Sequence, residues 1–215
     1  MYLPRHFALD DADAVAAFVD AVGSAELVTF DGTRPVATLL PVIWDRTTGT
    51  HGRLLGHLAR ANPQWSTAEP TTQALAIVTG PQAYVSPTWY PGRQEHGRGV
   101  PTWNYVSVHL TGPLSVHDDP AWLRDVVTRL TERHERGRPR PWTPAEAPDR
   151  FIDGQLRAIV GVQLDVVSVE AKGKLSQNRD PADRDGVIRG LAEEPGPGAA
   201  AIVRLMTGDR APGTG

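Results

Sequence analysis

Hydrophobic and polar positions along this chain change period several times, and each change marks an element. After Asp10, apolar residues recur at Val15, Phe18, Val19 and Val22 with helical spacing, and Gly23 supplies a stop. The period then shortens to two. AELVTF and RPVATLLPVIW read as strands joined across Asp31-Gly32, a dipeptide that favours hairpin turns. GRLLG reads as a further strand and HLARANP as a short helical turn ended by Pro63. QALAIVTG and QAYVSPTWY read as two strands separated by Gly80-Pro81, and PGRQEHGRG as a mobile loop. VPTWNYVSVHLTG alternates throughout, with Val106, Val108 and Leu110 pointing one way and Trp103, Tyr105, Ser107 and His109 the other.

Beyond Gly112-Pro113 a short strand, LSV, leads to Asp119-Pro120, an N-cap followed by a first-turn proline. The helix they open carries Leu123, Val126, Val127 and Leu130 as its apolar stripe. The proline-rich stretch 137–148 is predicted as a loop or strap. DRFIDGQLRAIVG is predicted as a second helix with Phe151, Leu156, Ile159 and Val160 on it, VQLDVVSVE as one strand, VIRGLAEE as a helix, and 207–215 as a disordered tail. This amounts to about eight short strands, with helices gathered at the start, middle and end. Strands do not alternate with helices, which argues against a doubly wound parallel sheet. The predicted class is mainly β with peripheral helices (α+β): an antiparallel barrel in a single domain, 1–206.

Composition removes several chemistries. There are no cysteines, so no disulfide framework, thiolate zinc site or cysteine nucleophile. No apolar run is long enough to cross a bilayer. Asp10, Asp11 and Asp13 stand where a signal peptide would be apolar, and a cytoplasmic protein is expected. The formal net charge is -3, and the one dense basic run, Arg129 to Arg140, is interrupted by acidic residues and reads as a solvated helix end and loop. Dinucleotide, Walker and HExxH motifs are absent, and the seven histidines are scattered without i, i+4 pairing. The only lysines are Lys172 and Lys174, in AKGKLSQN.

Polar and aromatic residues gather in four clusters: His57 to Asn62, Ser86 to Tyr90, Pro101 to Tyr105, and Lys172 to Asn178. Singly, each is better explained by turn caps, barrel core or a self-satisfied loop. Together they hold aromatic walls, amide partners and a cationic end, the requirements of a planar, polar-edged ligand bearing a phosphate.

MYLPRHF, GHLARANPQW, GPQAYVSPTWY, VPTWNYVSVHLTG, AIVG, KLSQN and DGV occur in an order that resembles the PaiB family, FMN-binding negative transcriptional regulators of bacteria. The resemblance implies an antiparallel FMN-binding split β-barrel, similar to pyridoxine-phosphate oxidases and flavin reductases, in a homodimer whose flavin touches both chains. Carried over residue by residue, it sets His57, Arg60 and Asn62 at the flavin phosphate. Thr38 meets the ring edge, and Trp103 and Asn104 line the ring or ribityl chain. Lys172, Lys174, Ser176 and Gln177 form a second phosphate or interface cluster. The family tends to place a histidine where Leu39 stands and an aromatic residue where Gly173 stands. The resemblance leaves three classes open: a flavin- or redox-sensing regulator, an FMN-dependent oxidoreductase, and a haem-binding split barrel. DNA is a partner by that analogy alone, and weak, salt-dependent affinity for duplex is expected.

Overall fold

The computed structural model describes residues 1–208. Its elements run α1 (Ala12–Val22), β1 (Ser24–Phe30), β2 (Pro35–Asp45), β3 (Arg53–Ala59), α2 (Gln64–Thr67), β4 (Ala74–Val85), α3 (Pro91–His96), β5 (Thr102–Gly112), β6 (Leu114–His117), α4 (Pro120–Glu135), α5 (Asp149–Leu156), β7 (Ile159–Asp165), β8 (Ser168–Lys174), α6 (Pro181–Glu193) and α7 (Pro197–Thr207). The chain divides into two compact units. One comprises Asp13–Val78 and His109–Val169; the other comprises Met1–Ala12, Thr79–Val108 and the chain from Glu170 onward.

In the first unit the strand order is β6-β7-β3-β2-β1-β4, and the assigned pairings are antiparallel. The β1–β2 hairpin pairs Phe30 with Pro35. Asp31 closes the turn by accepting from the Thr33 and Arg34 amides, each at 2.9 Å, and Gly32 takes φ +91°. Ala25, Leu27, Leu40, Val42, Leu54, Val162 and Leu164 turn inward and are buried. On the other side, Leu55 packs with Val126 and Leu130 of α4 and with Trp122. Asp119 caps α4 by accepting from the Trp122 amide at 2.7 Å. Gly161 is what lets Trp122 lie flat on β7: a Cβ there would stand 2.1 Å from the indole.

In the second unit β4, β5 and β8 are neighbours in that order. Ala83, Val85, Tyr90, Val187, Leu191, Ile202 and Met206 form the core between these strands and α6–α7. Trp89 packs directly on α6 because Gly186 and Gly190 lack side chains; a Cβ on Gly190 would lie 2.2 Å from the indole.

Several boundaries differ from the sequence reading. HLA belongs to β3 and helix begins only at Gln64, because β7 pairs with β3 as far as Ala59. Gly80-Pro81 does not break β4. Only Leu75, Ala76 and Ile77 pair with β1, so Pro81 lies beyond that ladder and its missing N–H costs no bond there. PGRQEH forms the short helix α3 rather than part of a loop. Ile159 and Val160 sit in a strand, where β-branched side chains suit a pleated surface. VQLDVVSVE is split at Val166–Val167, where the backbone passes from its bond with Gly52 to one with Thr111. Helix α7 was not anticipated and contains Met206 and Thr207; of the predicted tail, 209–215 lie outside the described residues.

Candidate functional site

The residues singled out in the sequence fall into two groups, one in each compact unit. In the first unit, Asn62 Nδ2 donates to Thr38 Oγ1 at 3.0 Å, and Asn62 Oδ1 accepts from the Gln64 amide at 3.0 Å. Gln64, buried and missed by the sequence reading, donates to Leu27 O, Thr29 Oγ1 and Val36 O at 2.9, 3.2 and 3.1 Å. These bonds fix the end of the β1–β2 hairpin where Thr38 sits. Gln64 stands directly after Asn62-Pro63, in the segment that carried the resemblance, so position alone could have flagged it.

Arg60 is fully engaged. Its Nε donates to Arg157 O at 2.8 Å, one terminal nitrogen donates to Ile159 O at 3.0 Å, and both terminal nitrogens meet the Asp118 carboxylate. Asp118 raises the guanidinium's proton affinity, and Arg60 in turn lowers the carboxyl pKa. This is a clasp joining the end of β3 to the start of β7 and the turn before α4. His57 pairs with Gly161 in the β3–β7 register, and burial holds its imidazole below the ordinary histidine range. Its Nδ1 is enclosed and has no hydrogen-bond partner among the described residues.

In the second unit, Asn104 is completely buried and faces Ser176, with Asn104 Nδ2 donating to Ser176 Oγ at 3.0 Å. Ser176 has φ +60°, the one non-glycine residue in that region among the described residues. Gln177 stabilises the same bend by accepting from the Leu175 amide at 2.6 Å and donating to Gly173 O at 2.5 Å. Thus KLSQN is a tight loop seated on Asn104. Trp103, on the opposite face of β5, is half exposed and meets Tyr84 edge to face with ring centroids 6.3 Å apart.

The two lysines differ. Lys172 is buried in a cage of Tyr105, Tyr2 and Phe7, with Nζ 5.4, 5.5 and 5.9 Å from the ring centres, and donates to Tyr2 O at 2.9 Å. It secures the N-terminal segment, which also pairs through Leu9 N to Ala171 O at 3.0 Å. Leu9 covers Gly173, which does not adopt a positive φ. Lys174 reaches the Thr102 hydroxyl. Burial holds its ammonium below the ordinary lysine range; Tyr105 opposes this, while Lys172 and Arg179 push it further down. Arg179, which follows KLSQN directly, lies over the Tyr90 ring at 4.6 Å. Among the described residues, no carboxylate pairs with Lys172, Lys174 or Arg179.

Residues 1–168 match the family described as "Putative FMN-binding domain". The chain is 34% identical over 206 residues to "Protease synthase and sporulation protein PAI 2" of Bacillus subtilis, covering 96% of both chains. Among solved structures it resembles the flavocytochrome Anf3 of Azotobacter vinelandii, with TM-score 0.54, 17% identity, and 80% of this chain and 72% of that one covered. It also resembles a FAD- and heme-binding protein of Mycobacterium smegmatis, with TM-score 0.51, 18% identity, and 75% and 70% covered. The match over most of the chain, the close relative and the shared antiparallel fold agree: this chain belongs to the PaiB family of FMN-binding split-barrel proteins.

Proposed function

We propose that the chain is a flavin-sensing regulator that holds FMN as a twofold dimer, with Lys174 and Arg179 receiving the phosphate. The observation that carries this is the cation group in the second unit. Lys174 is partly desolvated, its charged neighbours Lys172 and Arg179 are also cations, and among the described residues no carboxylate pairs with any of the three. A phosphate dianion relieves that repulsion and supplies the missing counter-charge. Lys172 contributes field rather than contact, since its ammonium is enclosed by the aromatic cage. The strained Ser176 loop links occupancy to conformation: a ligand on Lys174 bears directly on the KLSQN bend. FMN supplies redox chemistry when bound; the protein's own residues bind and orient it.

For a dimer, the outer face of β2 offers an apolar surface. Pro35, Ala37, Leu39 and Pro41 are all exposed there, with Leu39 at 68%. Phe30, the cross-strand partner of Pro35, is 37% exposed, so the patch continues onto the end of β1. A regulatory role is also supported by the Bacillus subtilis relative, whose name ties that protein to sporulation.

Titration of the purified protein with FMN and with riboflavin, followed by flavin fluorescence and light scattering, tests the reading. The expected result is saturable FMN binding, riboflavin weaker by about a hundredfold or more, and the mass of two chains. Equal affinity for the two flavins removes the phosphate assignment, and a monomer at all concentrations removes the dimer. Sustained consumption of NADH by the loaded protein would overturn the regulator in favour of an oxidoreductase.

A further inference from the structure

The unit that carries the lysines also bears an exposed aromatic groove. Tyr84 on β4 and Trp103 on β5 stand side by side, 48% and 50% exposed, as one wall of a groove of about 260 Å³. Leu191, Pro195 and Ala199 form the other wall, and Glu194 sits on its rim beside the exposed Glu193. The groove is fixed by close packing: α7 approaches β4 so tightly that a Cβ on Gly198 would lie 2.5 Å from Gln82 O. An aromatic shelf with acidic residues at its edge suits an extended, proline-containing, basic segment. Proline rings lie on aromatic faces, guanidinium groups stack on them, and the carboxylates take the remaining charge.

The chain itself contains such a segment. Arg136, Gly137, Arg138, Pro139, Arg140, Pro141 and Trp142, following α4, are all exposed. Prolines at alternate positions favour an extended backbone. Arg138 leans on Glu135 at 3.2 Å, while Arg140 makes no ion pair among the described residues. Each copy therefore offers one basic strap and one acidic aromatic groove. A twofold arrangement lets each strap fill the other copy's groove and leaves no open end.

We propose that the strap 136–142 of one copy docks in the Tyr84–Trp103 groove of a second copy. To test this, full-length protein with Trp142→p-benzoylphenylalanine, which keeps Arg138 and Arg140, is prepared in isotopically light and heavy forms, mixed in equal amounts, unfolded and refolded together so that copies exchange, and irradiated. Cross-linked peptides are expected to join the strap to segments containing Tyr84 or Glu194, with about half carrying one light and one heavy partner. Tyr84→Ala and Glu194→Lys, each verified as folded by circular dichroism, should lower the yield about fivefold. Products that are never isotopically mixed would place the strap on its own chain and overturn the proposal. So would an absence of cross-links to the groove, or yields unmoved by both substitutions.

Discussion

Four arginines of the first compact unit and the three cations around KLSQN in the second are held in opposite ways. In the first, Arg60, Arg124, Arg129 and Arg133 each meet a carboxylate: Asp118, Asp153, Asp45 and Asp20. In the second, Lys172 is held by aromatic rings and a carbonyl, Lys174 by a hydroxyl and Arg179 by a ring. A cation already neutralised by its neighbours fixes geometry. A cation held only by neutral partners keeps its attraction for an incoming anion. By this contrast we propose Arg60, the obvious phosphate ligand in the sequence, as a brace, and Lys174 as the ligand. The first half of the basic run follows the first pattern, since Arg129 and Arg133 are paired within their own unit.

The contrast is most sharply broken at Lys174. Lys174→Ala should weaken FMN by about tenfold to a hundredfold while leaving riboflavin nearly unchanged. Isothermal titration of both flavins decides it, and equal losses would make Lys174 a structural residue like Arg60.

A smaller effect on ligand, but a clear one on stability, is expected at the brace. Arg60→Ala removes the bonds to Arg157 O and Ile159 O and leaves Asp118 unpaired. Thermal unfolding of the flavin-free protein should drop by several degrees, and both flavins should weaken alike. A selective loss of FMN would return Arg60 to the phosphate site.

Asp45 sharpens the paired side through pH. Bonds from the Thr47 hydroxyl and amide, together with Arg129, hold its carboxyl at about 2, against about 3.9 in an unfolded chain. Its stabilisation is therefore complete above the unfolded value and disappears as pH falls from about 4 towards 2. Asp45→Asn should cost about 2 kcal/mol at neutral pH and flatten the acid limb of a denaturation series. An unchanged limb would mean Asp45 is not the group that titrates.

The smallest effect expected is that of salt. FMN affinity should fall about threefold between dilute buffer and half-molar salt, while riboflavin affinity stays level. A parallel response of the two flavins would argue against an ionic phosphate contact.

Local pattern alone determined a good part of this protein. Alternation along β5 correctly separated Val106, Val108 and Leu110 from Trp103 and Tyr105, because successive side chains of a strand point to opposite faces. Asp31-Gly32 and Asp119-Pro120 marked a turn and a helix start through chemistry confined to a few residues. The family's motifs pointed to Thr38, Asn62, Asn104 and Ser176 one by one, but the bonds that pair Asn104 with Ser176 and Asn62 with Thr38 were not legible there. Tertiary structure decided the rest. Whether Gly80-Pro81 ends a strand depends on which neighbour would have received the missing N–H, and that neighbour is remote in sequence. Ile159 and Val160 suit a helix face or a strand equally until β3 supplies the ladder. The bonds of Arg60 were hidden for the same reason: its partners Asp118, Arg157 and Ile159 lie 58 to 99 residues away along the chain. A side chain's periodicity is written locally, whereas the partner that satisfies its charge is chosen by the fold.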